Sequence, residues 1–344
     1  MPGHAKMLRF GLIGTGSWGR EHARAIRQEG GQLVYVVGTQ ASPPADFPLE
    51  PAQYYDRFDL QRLPVVDVVD IAAPNYLHAD FARKALLAGY HVLVEKPMAT
   101  DLHDARNLVE LSRARGKILA VGYEMRFSPL WQQVRALIQS PAFGELRWID
   151  FSLERHPFRP GRNRWRENPN QVGSWVIEEA VHHLDLICWL VASSPQNVEV
   201  SADFPGSPPP LADLLTLHLR FSSGILASYR AAINIEGHHL RLVAYGSQAS
   251  VAAEWHGRTD RTREPHVSLS WRSHGDVRSV PVMEDSGEVF ELNREIRNVI
   301  AAISQKTSLW LSPEEALYNL ALADAVERSA IDKRTLTFHP DQIY

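Results

Sequence analysis

Short apolar runs alternate with amphipathic stretches through the first third of the chain. Leu8–Ile13 reads as a buried strand and Ser17–Glu29 as the helix after it. Leu33–Val37 and Val65–Ala72 are the next strands, and Phe81–Ala88 is a helix stopped by Gly89. His91–Val94 is a further strand, Asp101–Arg115 a helix ending at Gly116, and Ile118–Val121 one more strand. Strands alternating with helices predict a doubly wound parallel sheet. After about residue 123 the pattern changes to consecutive strands, at Glu145–Glu154, Leu214–Phe221, Ile225–Ala232 and Leu240–Tyr245. Ser222-Ser223-Gly224 has the composition of a hairpin turn, so this sheet is expected to be largely antiparallel. The proline cluster Pro205–Pro210 reads as a surface loop, because strands resume at once. Two helices close the chain, Val289–Ser304 and Pro313–Ile331, the second with Ser312 as cap, Pro313 at the first position and Glu315 at the third. The expected fold class is α/β in two domains, 1–123 and 124–344, the first around the parallel sheet and the second around the largely antiparallel one.

Composition narrows the function classes. Of 344 residues, 44% are hydrophobic and 22% charged, enough for a sizeable core. A net charge of −4 leaves no electrostatic footprint for nucleic acid or anionic membrane. Met1–Lys6 lacks the apolar region of a secretory signal, and no apolar run approaches a membrane span. The single cysteine, Cys188, sits among Leu186, Ile187, Trp189 and Leu190, which suits an inert core thiol. A cytoplasmic protein is expected.

Gly14-Thr15-Gly16-Ser17-Trp18-Gly19 joins the first strand to the first helix. Gly14 permits the tight turn, Gly16 lets the backbone approach a pyrophosphate, and Gly19 lets helix and strand close together. The exposed N–H groups of the helix start, backed by its dipole, suit an anion. NAD-binding domains place an acid about 20 residues on; here that position holds Gly38-Thr39-Gln40, and the next acid is Asp46. Without a carboxylate the 2′-phosphate of NADP meets no repulsion, and Thr39, Gln40 and Ser42 offer it donors, although no arginine comes next. The cofactor is NAD or NADP, with a slight lean to NADP.

Lys96 comes after the strand ending Val92-Leu93-Val94-Glu95, and Pro97 stiffens the turn. Ligands of an open parallel sheet bind beyond the carboxyl ends of its strands, which puts Lys96 near a nicotinamide. Position alone equally fits a solvated surface lysine. In Glu178-Glu179-Ala180-Val181-His182-His183-Leu184-Asp185, a helix would put Glu178, His182 and Asp185 on one face. A carboxylate beside an imidazole fixes its tautomer and raises its basicity, as acid–base catalysis requires; a satisfied core histidine has the same spacing. The segment lacks the His-Glu-x-x-His order and cysteines of a zinc site, so no metal is expected.

Taken together, the glycine turn, Ala73-Pro74-Asn75-Tyr76-Leu77-His78, Glu95-Lys96-Pro97, Val121-Gly122-Tyr123 with Arg126-Phe127, the Gly173–Asp185 segment and the Pro313–Leu317 helix resemble the glucose–fructose oxidoreductase / inositol dehydrogenase / MocA family. The resemblance implies a Rossmann domain and then an α/β domain whose open sheet often forms a homo-oligomer interface, giving a dimer or tetramer. It implies that Lys96 contacts cofactor and substrate, that Glu95 belongs to the cofactor site, and that Pro74, Asn75 and His78 lie along the nicotinamide half. The family motif Asp-x-Gly-x-His-x-x-Asp reads Glu178-x-Ala180-x-His182-x-x-Asp185 here. Its implied chemistry is oxidation of a secondary alcohol on a sugar, cyclitol or polyol. His182 acts as base, Lys96 stabilises the oxygen, Glu178 tunes either, and Arg126, Trp165 and Asp185 bind or orient substrate. Related proteins retain NAD(P) for elimination, epimerisation or glycoside cleavage, and a non-catalytic dinucleotide or sugar sensor is the third reading.

Overall fold

A computed structural model describes residues 7–203, 214–233, 236–340 and 343. The Met1–Lys6 terminus and the Pro205–Pro210 cluster lie outside these residues. Two structural units divide the chain, and each is built around its own sheet.

The first unit carries strands β1 (Arg9–Ile13), β2 (Gln32–Val37), β3 (Gln53–Tyr55), β4 (Val68–Ile71), β5 (His91–Glu95) and β6 (Leu119–Gly122). They form a parallel sheet in the order β3-β2-β1-β4-β5-β6. The helix Ser17–Gln28 buries Gly19, His22, Ala23 and Ile26, the three-and-four spacing of one helical face. The helix Leu102–Arg115 starts where the Asp101 side chain accepts from the Asp104 N–H (2.9 Å) and stops at Gly116, whose φ of 59° is left-handed. Strand order reverses between β1 and β4, so the switch point of the sheet lies beyond their carboxyl ends, between the glycine turn and the Ala72–His78 loop.

The first unit runs to Glu124, beside the expected 123/124 boundary, and takes in later segments as well. Residues Asn170–Val172 and Leu292–Leu317 belong to the first unit. The cause is the helix Glu288–Ser304: its Leu292, Ile296 and Val299 share a core with Leu8, Phe10, Leu12 and Ile26. The helix was readable from its apolar period, but the period does not name the sheet it covers.

The second unit adds β7 (Leu146–Arg155), β8 (Pro195–Asp203), β9 (Leu214–Phe221), β10 (Leu226–Ile233), β11 (His238–Gly246), β12 (Ala249–Gly257), β13 (His266–Ser273), β14 (Asp276–Ser279) and β15 (Leu336–Thr337). Their order is β14-β13-β12-β11-β7-β10-β9-β8-β15, antiparallel except where β7 runs beside β10. The hairpin at Ser222–Gly224 joins β9 to β10, with Leu226 opposite Arg220. Leu215, Leu217, Leu219 and Phe221 of β9 alternate inward. On the other face Leu226 and Tyr245 flank Trp148 in cross-strand register and remain exposed, the two aromatic rings stacked at 5.4 Å. The capping box at Ser312 forms as expected, Glu315 N–H to Ser312 Oγ at 3.1 Å and Ser312 N–H to Glu315 Oε2 at 2.9 Å. Among the described residues no helix is long and apolar enough to cross a membrane.

Candidate active site

The three turn glycines have separate steric reasons. Gly14 has φ +125°, and a Cβ there would stand 2.2 Å from the Ala72 carbonyl oxygen. A Cβ on Gly19 would stand 2.3 Å from the Gly14 oxygen. A Cβ on Gly16 would meet nothing within 4 Å. Gly16 is therefore not required by the protein's own packing, and its open side is the space a pyrophosphate approaching the backbone would fill. The helix behind it has no side-chain cap and no acid in its first turn, which suits an anion. These residues fit a dinucleotide. Beyond β2, Thr39 and Gln40 are exposed, Tyr54 donates to the Gln40 carbonyl (2.9 Å), and Asp46 pairs with Arg20 at 2.5 Å.

Lys96 leaves the end of β5 through a cis Lys96–Pro97 peptide. The His78 ring ties this turn to the β4 loop: Nδ1 lies 2.7 Å from the Pro97 carbonyl oxygen and Nε2 2.7 Å from that of Ala73. Asn75 donates to the Val172 carbonyl oxygen at 2.9 Å. Glu95 turns inward, where its Oε1 lies 2.9 Å from His22 Nε2, while His22 Nδ1 lies 2.9 Å from Asp70 Oδ2. A Cβ on Gly122 would stand 2.7 Å from Glu95 Oε1, so that glycine makes room for the carboxylate. Expected among the cofactor residues, Glu95 is buried and spends its carboxylate on an imidazole.

Electrostatics around this turn come from burial and partners. Burial pushes the His22 ring down, but the charges and hydrogen bonds of Asp70 and Glu95 outweigh it and hold the ring well above the usual histidine range. Burial opposes charge on Glu95, yet His22 and the Lys96 ammonium keep it below the usual carboxylate range. Glu124 and Glu295 are pushed well above that range by burial and then by the Glu95 charge. Glu295 Oε1 accepts the Tyr123 N–H at 3.0 Å. Sequence reasoning missed His22, Asp70, Glu124 and Glu295. The signal for the first two was present: a histidine on the apolar stripe of the first helix, and an aspartate inside Val68-Val69-Asp70-Ile71.

The Glu178–Asp185 segment lies in the second unit and is not one α-helix. A π turn, Val176–Ala180, precedes the α-helix Val181–Val191. Glu178 Oε1 accepts from Arg166 Nε at 2.7 Å, and Glu179 pairs with Arg155. His182 is buried in the first turn of the α-helix. His183 is buried too, 2.9 Å from the Tyr229 hydroxyl. Arg126 and Asp185 come together, both buried, with Nε donating to Oδ2 at 2.9 Å and a second nitrogen to Oδ1 at 2.6 Å. Asn319 donates to the same Oδ1 at 2.5 Å. Trp165 is also buried, with the Arg166 guanidinium 4.2 Å over its ring. Cys188 is half-buried, and its burial, with Asp185 nearby, pushes the thiol up.

Comparison with known proteins covers both units. Residues 8–123 match the model described as "Oxidoreductase family, NAD-binding Rossmann fold", and residues 135–338 match "Oxidoreductase family, C-terminal alpha/beta domain". A 1,5-anhydro-D-fructose reductase of Ensifer adhaerens is 26% identical, covering 94% of this chain and 96% of its own. An inositol 2-dehydrogenase of Rhizobium meliloti (strain 1021) is 26% identical, covering 96% of this chain and 99% of its own. The aldose–aldose oxidoreductase structure from Caulobacter crescentus has a TM-score of 0.79 at 21% identity, covering 97% of this chain and 100% of that one, and shows the shared fold.

Proposed function

The chain belongs to the glucose–fructose oxidoreductase / inositol dehydrogenase / MocA oxidoreductase family, and on that footing we propose that it is an NAD(P)-dependent dehydrogenase acting on a secondary alcohol of a sugar, cyclitol or related polyol. The observation that carries this reading is the pairing of an open glycine cradle at the switch point with a lysine at the end of β5. Gly14, Thr15, Gly16, Ser17, Trp18 and Gly19 hold the pyrophosphate, Thr39 meets the ribose, and Pro74, Asn75 and His78 frame the nicotinamide. When bound, the nicotinamide takes the hydride that a secondary alcohol gives up, or returns it.

The chain supplies the rest. Lys96 donates a hydrogen bond to the reacting oxygen and stabilises its developing negative charge. His182 takes the hydroxyl proton, or gives it back in reduction. Glu178, held by Arg166, orients the His182 segment. Arg126 and Asp185 engage each other in a buried pair, which suits holding the helix that carries His182 rather than touching substrate. Trp165, roofed by Arg166, shapes the substrate side by packing.

NADP is the favoured cofactor, because no carboxylate stands at the end of β2 and Asp46 is engaged by Arg20. A cytoplasmic location agrees with the single cysteine. The exposed Leu226, Trp148 and Tyr245 row supports self-association through the open sheet as a dimer or tetramer, and a monomer in sedimentation velocity would reject it.

The test is to incubate the purified protein with NADP or NAD and a panel of inositols and aldoses, following absorbance of the reduced nicotinamide. A signal that needs the alcohol and is lost in Lys96→Met is expected. Silence with nucleotide still bound would turn the reading to retained-cofactor chemistry, and silence without binding would reject the dehydrogenase.

A further inference from the structure

Behind Lys96 lies a buried polar chain that the proposed reaction does not use. Helix Ser17–Gln28 sends His22 between two strands of the sheet, where its ring nitrogens face Asp70 of β4 and Glu95 of β5, each at 2.9 Å. Both partners are acceptors. With both carboxyls ionised, a neutral imidazole, which carries one N–H, would turn a lone pair toward one of them, so the doubly protonated ring is the form that satisfies both contacts. The surrounding strand positions, Val69, Ile71, Leu93 and Val94, are fully buried and apolar. A buried ion triad is a poor way to stabilise such a place, since well-packed apolar residues do as well or better. Its use is a fixed geometry.

That geometry ends at the catalytic turn. Glu95 is the residue before Lys96, and its side chain is wedged against Gly122. On the far side of Lys96 the Pro97 carbonyl is gripped by His78 at 2.7 Å. The lysine backbone is thus held from both neighbours, by His22 through Glu95 and by His78 through Pro97. The other acids that bear on this chain, Glu124 and Glu295, are pushed toward the protonated form by burial and by the Glu95 charge.

We propose that His22 is a positioning residue for Lys96: a buried imidazolium strut that ties Glu95 to Asp70 and thereby fixes the turn from which Lys96 reaches the reacting oxygen. The proposal rests on the reading of Lys96 given above.

Its test uses the full-length protein and two substitutions that split the strut. His22→Gln carries an amide nitrogen out toward Glu95, as Nε2 does, whereas His22→Asn reaches only the Asp70 side. In His22→Asn, amide hydrogen exchange is expected to quicken in the peptide spanning residues 93–98 while the rest of the first unit keeps its protection. NADP binding, read by calorimetry, stays as in the wild type, and kcat on the alcohol that gives the largest signal in the panel falls about 10- to 100-fold. His22→Gln recovers most of both. A purely structural histidine would instead loosen the whole unit, with no difference between the two amides. If Lys96→Met turns over like the wild type, the lysine reading has failed. If Lys96→Met is inactive while His22→Asn exchanges and turns over like the wild type, the strut alone is overturned. Should His22→Asn not fold, two-bond nitrogen–proton spectra of the wild type decide: protons on both His22 nitrogens at neutral pH support the strut, and a proton on one overturns it.

Discussion

In the second unit the buried Asp185 carboxylate meets the Arg126 guanidinium in a two-pronged pair, whereas in the first unit the charges of His22, Lys96, Asp70, Glu95, Glu124 and Glu295 bear on one another as a cluster. In the pair each charge has its counterpart. In the cluster acids outnumber bases, and burial with mutual repulsion pushes Asp70, Glu124 and Glu295 toward the protonated form. A matched pair is a fixture of the fold; an unmatched cluster responds to pH and to the charge of whatever binds beside it.

The largest effect should come from breaking the matched pair. Arg126→Leu leaves Asp185 buried without its cation and is expected to cost about 3–5 kcal/mol in chemical denaturation. Replacing Asp185 by Leu as well should recover most of that loss, because the pair itself contributes little net stability. A small loss in the single variant would mean that Asn319 and solvent suffice for Asp185. On the cluster side, Lys96→Met is expected to lower kcat by about 10²- to 10³-fold, with folding stability kept. An equal loss of stability would make Lys96 a structural member of the cluster.

The smallest effect is one of pH. His22, Asp70, Glu124 and Glu295 are all raised in the folded protein, so each holds its proton to a higher pH there than in the unfolded chain. Stability contributed by His22 is complete below its unfolded value and is lost as pH rises through the folded one. The raised carboxyl groups act in the same direction, from the ordinary carboxylate range upward. Glu95, lowered, contributes above its unfolded value and loses that contribution as pH falls. Stability should therefore decline from about pH 5 upward, by as much as about 1.4 kcal/mol per pH unit for each proton held. Glu295→Gln removes one such group and should flatten the decline; an unchanged slope would show that Glu295 is ionised in the fold.

Much of the first unit was legible in the sequence because its strands are short apolar runs punctuated by glycine. In the second unit β8 and β12–β15 went unread. Ala249–Gly257, for instance, places Ala252, Ala253 and Glu254 between Val251 and Trp255, too little β-branched or aromatic bulk for a strand signal. Lys96 could be placed because it sits directly past the carboxyl end of a buried strand, where an open parallel sheet binds its ligands. Arg126 with Asp185, 59 positions apart, and Tyr123 with Glu295, 172 apart, could not be paired, since no local period links them. Glu178 and His182 were expected on one α-helical face, but the π turn at Val176–Ala180 intervenes, and spacing alone does not announce it.

The central claim is that the glycine turn holds a dinucleotide, and Gly16→Val tests it most directly. Its φ of −68° and ψ of 179° suit valine, and a Cβ there touches nothing within 4 Å, so the variant should fold as the wild type does. Calorimetric titration with NADP and NAD should show binding to the wild type and at least about tenfold weaker binding to the variant, a difference of about 1.4 kcal/mol. Equal affinity for both proteins, or no binding to the wild type, would contradict the account.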